Sequence, residues 1–290
     1  MSLFLVLGGT GKTGRRVLDL LTAQGHTARA AARTPGPAAD SVEPVRFDWD
    51  DPATHDPALA GASAVYVVPP ALRTDHPPLI ADLARRAADA GVQRLVLLSA
   101  RGVDAGPDNP LRQAEAAVAT AGLPVTVVRP TWFMQNFTES FFAPGVADGA
   151  VVAPTGSGAE PFIDAADIAA VAAAALTGEV GPGAYDLSGP QALTFAEAAA
   201  VLGGRTGRPV VHVDLPVEQW VAGAGANGVP DGYAAMLGAL FGLIRDGSDA
   251  HLSDGVSRAL GRPPTSFADW AAREVHPPQG PGDVPDTRGE

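Results

Sequence analysis

Leu3-Phe4-Leu5-Val6-Leu7-Gly8-Gly9-Thr10-Gly11-Lys12-Thr13-Gly14 is the stretch that decides the fold. Five apolar residues make a short strand suited to burial on both faces. Glycines then turn the chain into a segment carrying Val17, Leu18 and Leu21 at helical spacing. A helix that starts straight after such a turn offers unpaired backbone N–H groups and a partial positive charge, which is where a dinucleotide pyrophosphate sits. Gly8 permits the tight turn, Gly11 lets the backbone approach the phosphates, and Gly14 lets the helix lie close to the strand. The spacing is G-x-x-G-x-x-G rather than G-x-G-x-x-G, so the context carries much of the signal. Gly11-Lys12-Thr13 also invites a P-loop reading. That loop needs a glycine where Val6 stands inside the strand, and the reading is rejected.

Outward from this loop, apolar runs recur at Thr27–Ala32, Pro44–Phe47, Ala64–Val68, Arg94–Ser99 and Pro124–Arg129. Helical patterns separate several of them, at Arg15–Leu21, Leu79–Ala90 and Leu111–Ala121. This alternation predicts an α/β fold with a doubly wound, Rossmann-like parallel sheet over residues 1–130. From 131 to 276 the rhythm changes to an aromatic-rich segment, glycine turns and further helices. A smaller C-terminal α/β lobe is expected there, mainly for substrate, with some elements returning to the sheet. Thr194 and Glu197 have capping-box spacing for a helix beginning at Phe195. Residues 277–290, rich in Pro and Gly, read as a disordered tail.

The chain has 290 residues, no Cys and a formal net charge of −12. The absence of Cys excludes disulfides, thiolate metal sites and cysteine nucleophiles. The acidic balance argues against a nucleic-acid partner, which needs clustered Lys and Arg. The N-terminus lacks the pattern of a signal peptide, and the Ala-rich stretch 165–176 is too short to span a bilayer. A soluble, cytoplasmic protein is expected. His212, His251 and His276 have no metal spacing, and Asp164 and Asp167 read as helix caps rather than metal ligands. No metal is expected.

Arg33 stands at the end of the second strand, where NAD enzymes carry an acidic residue for the ribose hydroxyls. A guanidinium there can hold the 2′-phosphate of NADPH bidentately; the alternative is a solvated loop charge. Lys12 can add to the phosphate site. Asp48, beside Trp49, is read either as an acceptor for the adenine amine or as a turn-initiating residue. Pro69-Pro70 and Ser99 end the fourth and fifth strands, so they border the nicotinamide position. The cofactor-binding set is thus Gly8, Gly9, Thr10, Gly11, Lys12, Thr13, Gly14, Arg33, Asp48, Trp49, Pro69, Pro70 and Ser99.

With residues 8–14 and Arg33, the runs Phe-Asp-Trp (47–49), Val-Tyr-Val-Val-Pro-Pro (65–70), Leu-Val-Leu-Leu-Ser-Ala (95–100) and Arg-Pro-Thr-Trp-Phe-Met-Gln-Asn-Phe (129–137) resemble the NmrA-like atypical short-chain dehydrogenases/reductases. Phe162-Ile163-Asp164 and Asp167-Ile168-Ala169 fit the same pattern, and the resemblance spans roughly residues 3–275. Within the group the look is nearest to the clavine reductases of ergot-alkaloid type and their bacterial relatives. The resemblance implies NADPH at the glycine loop and Arg33, and a substrate cleft between the two lobes. It also admits redox-inactive NADP(H) sensors.

The Tyr-x-x-x-Lys pair of standard short-chain dehydrogenases is absent, because Lys12 is the only lysine. Ser99 is the one catalytic candidate, with capping of the strand end as the other reading. A ketone would need a placed proton donor, whereas an iminium gives a neutral amine and a quinone a stabilised phenolate. Trp132, Phe133 and Met134 follow the sixth strand and read as the lining of a flat apolar pocket or as a plug between lobes. Phe137, Phe141 and Phe142 are expected to form the plug on one helical face. Asn136 either bonds substrate or stabilises a turn. The expected activity is NADPH-dependent reduction of a small aromatic or heterocyclic electrophile (imine or iminium, quinone or enone) in secondary metabolism. The alternatives are a non-catalytic NADP(H) sensor and an isomerase or cyclase that uses the cofactor structurally. A small-molecule substrate is expected, and a homo-oligomer is left open.

Overall fold

The structure, a computed structural model, describes residues 2–103 and 109–277. The tail expected to be disordered therefore lies, from 278 onward, outside the described residues. Chain order runs β1 (Leu3–Leu7), α1 (Lys12–Ala23), β2 (Thr27–Ala32), β3 (Val42–Arg46), α2 (His55–Leu59), β4 (Ala62–Val67), α3 (Pro77–Asp89), β5 (Arg94–Leu98), α4 (Pro110–Ala119) and β6 (Val125–Pro130). The second half holds α5 (Ala143–Asp148), β7 (Ala150–Val152), β8 (Ala159–Glu160), α6 (Ala165–Thr177), β9 (Gly183–Leu187), β10 (Leu193–Thr194), α7 (Phe195–Thr206) and β11 (Val211–Val213). The helices α8 (Val217–Ala226), α9 (Asp231–Arg245), α10 (Gly255–Leu260) and α11 (Phe267–Glu274) complete it.

Seven strands form one parallel sheet in the order β3-β2-β1-β4-β5-β6-β9. Period-2 alternation in β1 sends Leu5 and Leu7 to one face, against Ile80 and Leu83 of α3, and Phe4 and Val6 to the other. There they meet Val17, Leu18 and Leu21 of α1 and the alanines of α6. Pro44 lies inside β3 rather than opening it, which a strand at the sheet edge tolerates because its N–H is not needed by a second neighbour. The order reverses between β1 and β4. At such a switch point the crossovers part and leave a crevice at the carboxyl ends of the strands.

The second half does not fold away from the first. β9 is the seventh strand, and α6 covers the sheet beside α1. The smaller lobe has its own core, built of Phe137, Phe142, Phe162, Phe195, Phe241 and Trp270. Thr194 and Glu197 form the capping box reciprocally, and α7 runs on to Thr206. Among the described residues no helix is long and apolar enough to cross a membrane.

Candidate active site

The glycine loop has the geometry its spacing implies. Gly8 takes φ +63°, a left-handed conformation that a side chain would strain. A Cβ on Gly14 would lie 2.1 Å from the Gly8 carbonyl oxygen, so only glycine lets α1 start this close to β1. The N-cap Gly11 has no side-chain partner for the first-turn N–H groups, which remain available to an anion. The cradle fits a pyrophosphate. Arg33 is exposed just past β2 and makes no hydrogen bond or ion pair among the described residues. Asp48 is half-buried. Its Oδ1 accepts the Asp50 N–H at 3.1 Å, and its carbonyl lies 2.9 Å from His55 Nε2. The turn reading of Asp48 is therefore realised, with one carboxylate oxygen used for it. Trp49 packs edge-on to Phe47 at 5.1 Å, and Pro69 and Pro70 are half-buried just beyond β4.

A cavity of about 1050 Å³ opens between the sheet edge and the smaller lobe. Of the residues singled out in the sequence, Lys12, Ser99, Trp132, Phe133, Asn136, Phe141 and Phe142 line it. The glycines, Arg33, Asp48, Trp49, Pro69 and Pro70 lie outside its wall. Trp132 stacks on Phe241 with centroids 4.4 Å apart, so it serves both as cavity wall and as a join to the lobe core.

Three side chains differ from expectation. Lys12 Nζ does not remain at the phosphate cradle: it donates to Asn136 Oδ1 at 2.7 Å and lies 5.8 Å from the centre of the Phe133 ring. Burial pushes its ammonium below the usual lysine range, partly offset by Glu139. Asn136 is thereby fixed as the acceptor for Lys12. The expectation of one helical face for Phe137, Phe141 and Phe142 fails. Residues 134–137 form a 3-10 turn, after which the chain bends, so Phe137 and Phe142 enter the core while Phe141 stays 47% exposed at the cavity.

Ser99 Oγ donates to Glu115 Oε1 at 2.5 Å, and Arg129 grips the same carboxylate through Nε at 2.9 Å and Nη2 at 2.5 Å. A charge-assisted bond of this kind holds the hydroxyl proton away from the cavity. In this arrangement Ser99 presents an acceptor oxygen to the cavity, suited to an amide or an N–H⁺ group. Nothing in the local sequence marks Glu115; its role depends on α4 packing over β6.

Sequence reasoning missed the roof and the floor. α8 and α9 close the cavity with Trp220, Tyr233 and Leu237, residues whose helical pattern gives no sign of what they face. Asp249 and Arg101 form part of the floor.

A parallel sheet with a glycine cradle at its switch point and an aromatic cavity alongside has the form of a dinucleotide-binding protein. The comparisons agree. The NAD(P)H-binding family matches residues 8–179, and the chain belongs to it. It is 35% identical to the NAD(P)H azoreductase of Xenophilus azovorans, over 93% of this chain and 96% of that one. It is 33% identical to festuclavine synthase II of Penicillium roqueforti, over 94% and 98%. The Citrobacter sp. triphenylmethane reductase complexed with NADP(H) superposes with a TM-score of 0.76 at 25% identity, covering 95% of this chain and 100% of that one. The negative transcriptional regulator NmrA shares the fold at 19% identity, with a TM-score of 0.73 over 94% and 95%. The chain is thus an NAD(P)H-dependent oxidoreductase that shares the NmrA fold and lacks the Tyr-x-x-x-Lys pair.

Proposed function

We propose that the chain is an NADPH-dependent reductase that passes hydride to a flat aromatic or heterocyclic electrophile (an iminium, quinone or enone) in secondary metabolism. The observation that carries this reading is the aromatic cavity beside the glycine cradle, roofed by Trp220 and walled by Trp132 and Phe133. Such a cavity holds a planar ring, excludes water and leaves few side chains to act on it. The cofactor supplies the hydride. Gly8 to Gly14 hold its pyrophosphate, the exposed Arg33 takes the 2′-phosphate, and Asp48, Trp49, Pro69 and Pro70 flank its path along the crest of the sheet. Ser99, with its proton committed to Glu115, accepts from the carboxamide of the nicotinamide or from a cationic substrate. The 35% identical relative is named for azo reduction and the 33% identical one for festuclavine synthesis; both names are compatible with flat electrophiles that do not need a Tyr–Lys pair.

The test is NADPH oxidation against a panel of quinones, cyclic iminium salts, enones and azo dyes, with NADH in parallel. Turnover of one class with preference for NADPH is the expected result. Tight NADPH binding without turnover of any class would overturn the reading in favour of a sensor.

A further inference from the structure

Lys12, the only lysine of the chain, opens α1 and lines the aromatic cavity. Two contacts hold its Nζ at the cavity wall. It donates to Asn136 Oδ1 at 2.7 Å and lies 5.8 Å from the centre of the Phe133 ring, and both residues belong to that wall. An ammonium carries three N–H groups, so two remain beyond the one given to Asn136. Among the described residues the charged side chains at the cavity are Lys12, Arg101 and Asp249. Arg101 Nη1 lies 3.9 Å from the Asp249 carboxylate, so those two offset each other. The Glu139 carboxylate, whose field reaches Lys12, is already held by Arg15 at 2.6 Å and Arg16 at 2.9 Å. The charge left unbalanced at the cavity is the Lys12 ammonium.

Resting on the reductase reading above, we propose that Lys12 is the proton donor of this site, and that the electrophile it serves is a neutral carbonyl compound, an enone or a quinone, rather than an iminium.

The charge that develops during hydride transfer decides between the two. Hydride addition to an enone or a quinone drives an electron pair onto oxygen. In a cavity walled by aromatic rings, a nearby ammonium stabilises that oxygen and can give it a proton. An iminium arrives positively charged and leaves as a neutral amine, so the same ammonium repels it and supplies nothing it needs. Burial lowers Lys12 towards the range in which an amine gives up a proton readily. Glu139 opposes that shift, while Arg15 and Arg16 act in the same direction as burial.

With an enone, hydride from NADPH bonds to the β-carbon, the C=C pair moves towards the carbonyl carbon, and the C=O π pair goes to oxygen. The oxygen takes a proton from Lys12, whose N–H bond breaks to leave a neutral amine. The enol tautomerises in water to the saturated ketone, Lys12 regains a proton from water, and NADPH leaves as NADP⁺. A quinone takes hydride and the same proton to give the hydroquinone.

The test compares Lys12→Met, Lys12→Arg and Asn136→Asp with the wild type, at saturating NADPH, on a cyclic enone, a quinone and a cyclic iminium salt. Lys12→Met is expected to slow both carbonyl compounds about 10²–10⁴-fold, the usual contribution of a placed acid. It should lower KM for the iminium and keep NADPH affinity in fluorescence titration. Lys12→Arg should restore part of the carbonyl rate, because the charge returns, and should lose the alkaline limb of the pH profile, because a guanidinium does not titrate there. Asn136→Asp should move that limb to higher pH, since a carboxylate in place of the amide holds the proton on Nζ more firmly. Equal slowing of all three substrates would overturn the donor role. So would a loss of NADPH affinity, which would return Lys12 to the phosphates. A wild type that reduces the iminium but neither carbonyl compound would overturn the donor role and leave the reductase reading standing. A wild type inert towards all three, and towards azo dyes, would remove both. One readout needs no turnover. Protein labelled with ¹³C at lysine Cε gives a single lysine NMR signal, whose titration midpoint should fall below that of free lysine; a midpoint at or above it would overturn the acid role.

Discussion

Replacing Gly14 with alanine tests the cradle on which the reading rests. The new Cβ would lie 2.1 Å from the Gly8 carbonyl oxygen, 2.8 Å from its carbonyl carbon and 3.1 Å from Gly9 Cα. All three atoms are backbone, so no side chain can swing aside, and α1 must retreat from the loop by roughly 1 Å, a displacement large enough to spoil site geometry. Overpacking of this kind costs about 1–3 kcal/mol, or a fall in Tm of several degrees for a chain of this size. The retreat also misplaces the first-turn N–H groups. Losing one charge-assisted bond to a phosphate costs about 1.5–3 kcal/mol, so NADPH should bind roughly 10–100-fold more weakly. NADPH fluorescence titration and thermal unfolding measure the two effects. Gly204→Ala is the control: it lies within α7 with open space around its Cβ, and should gain about 0.5–1 kcal/mol. Wild-type NADPH affinity in Gly14→Ala would refute the assignment of the phosphates to this loop, whatever the change in Tm.

Arg33→Asp should weaken NADPH about 10–100-fold, one charge-assisted contact, and leave NADH nearly unchanged; equal losses in fluorescence titrations would remove Arg33 from the 2′-phosphate. Trp132→Ala should raise KM for the electrophile with little change in NADPH affinity. It should also lower Tm, because the ring is lost from its stack on Phe241; a loss of NADPH binding would make Trp132 a residue of the fold alone. Glu160 gives a pH signature in stability. Its folded pKa is raised, so the folded state holds the proton more tightly than the unfolded chain. Its contribution is therefore fully present below the unfolded carboxyl pKa and is lost as pH rises towards the folded one. Glu160→Gln removes that loss, and its Tm should gain on the wild type from about pH 5 to pH 8; a constant difference would mean Glu160 is ionised in the fold.

The missed contacts share a feature. Asp249 and Arg101 come from the turn after α9 and from the segment after β5, Glu160 and Trp132 from β8 and the segment after β6, and nothing in their local sequence marks either pair as neighbours. Lys12 reads locally as a phosphate ligand, being part of the glycine loop. It binds Asn136 because the segment after β6 passes over the start of α1, where Arg15 and Arg16 also hold Glu139. Phe141 was assigned to the core on spacing that presumes a continuous helix, and the turn at residues 134–137 breaks that premise.

By itself the sequence determined the strand and helix order, the parallel sheet, the glycine cradle and the capping box at Thr194. These follow from forces acting within a few residues: the two backbone periods, the steric freedom of glycine, and caps that close on their own helix. Tertiary structure alone decided where the Ser99 hydroxyl points its hydrogen bond, what Lys12 holds and which aromatics face the cavity. Each of those depends on side chains far apart in the chain meeting where water is excluded, and there the partner rather than the residue type sets the charge and the chemistry.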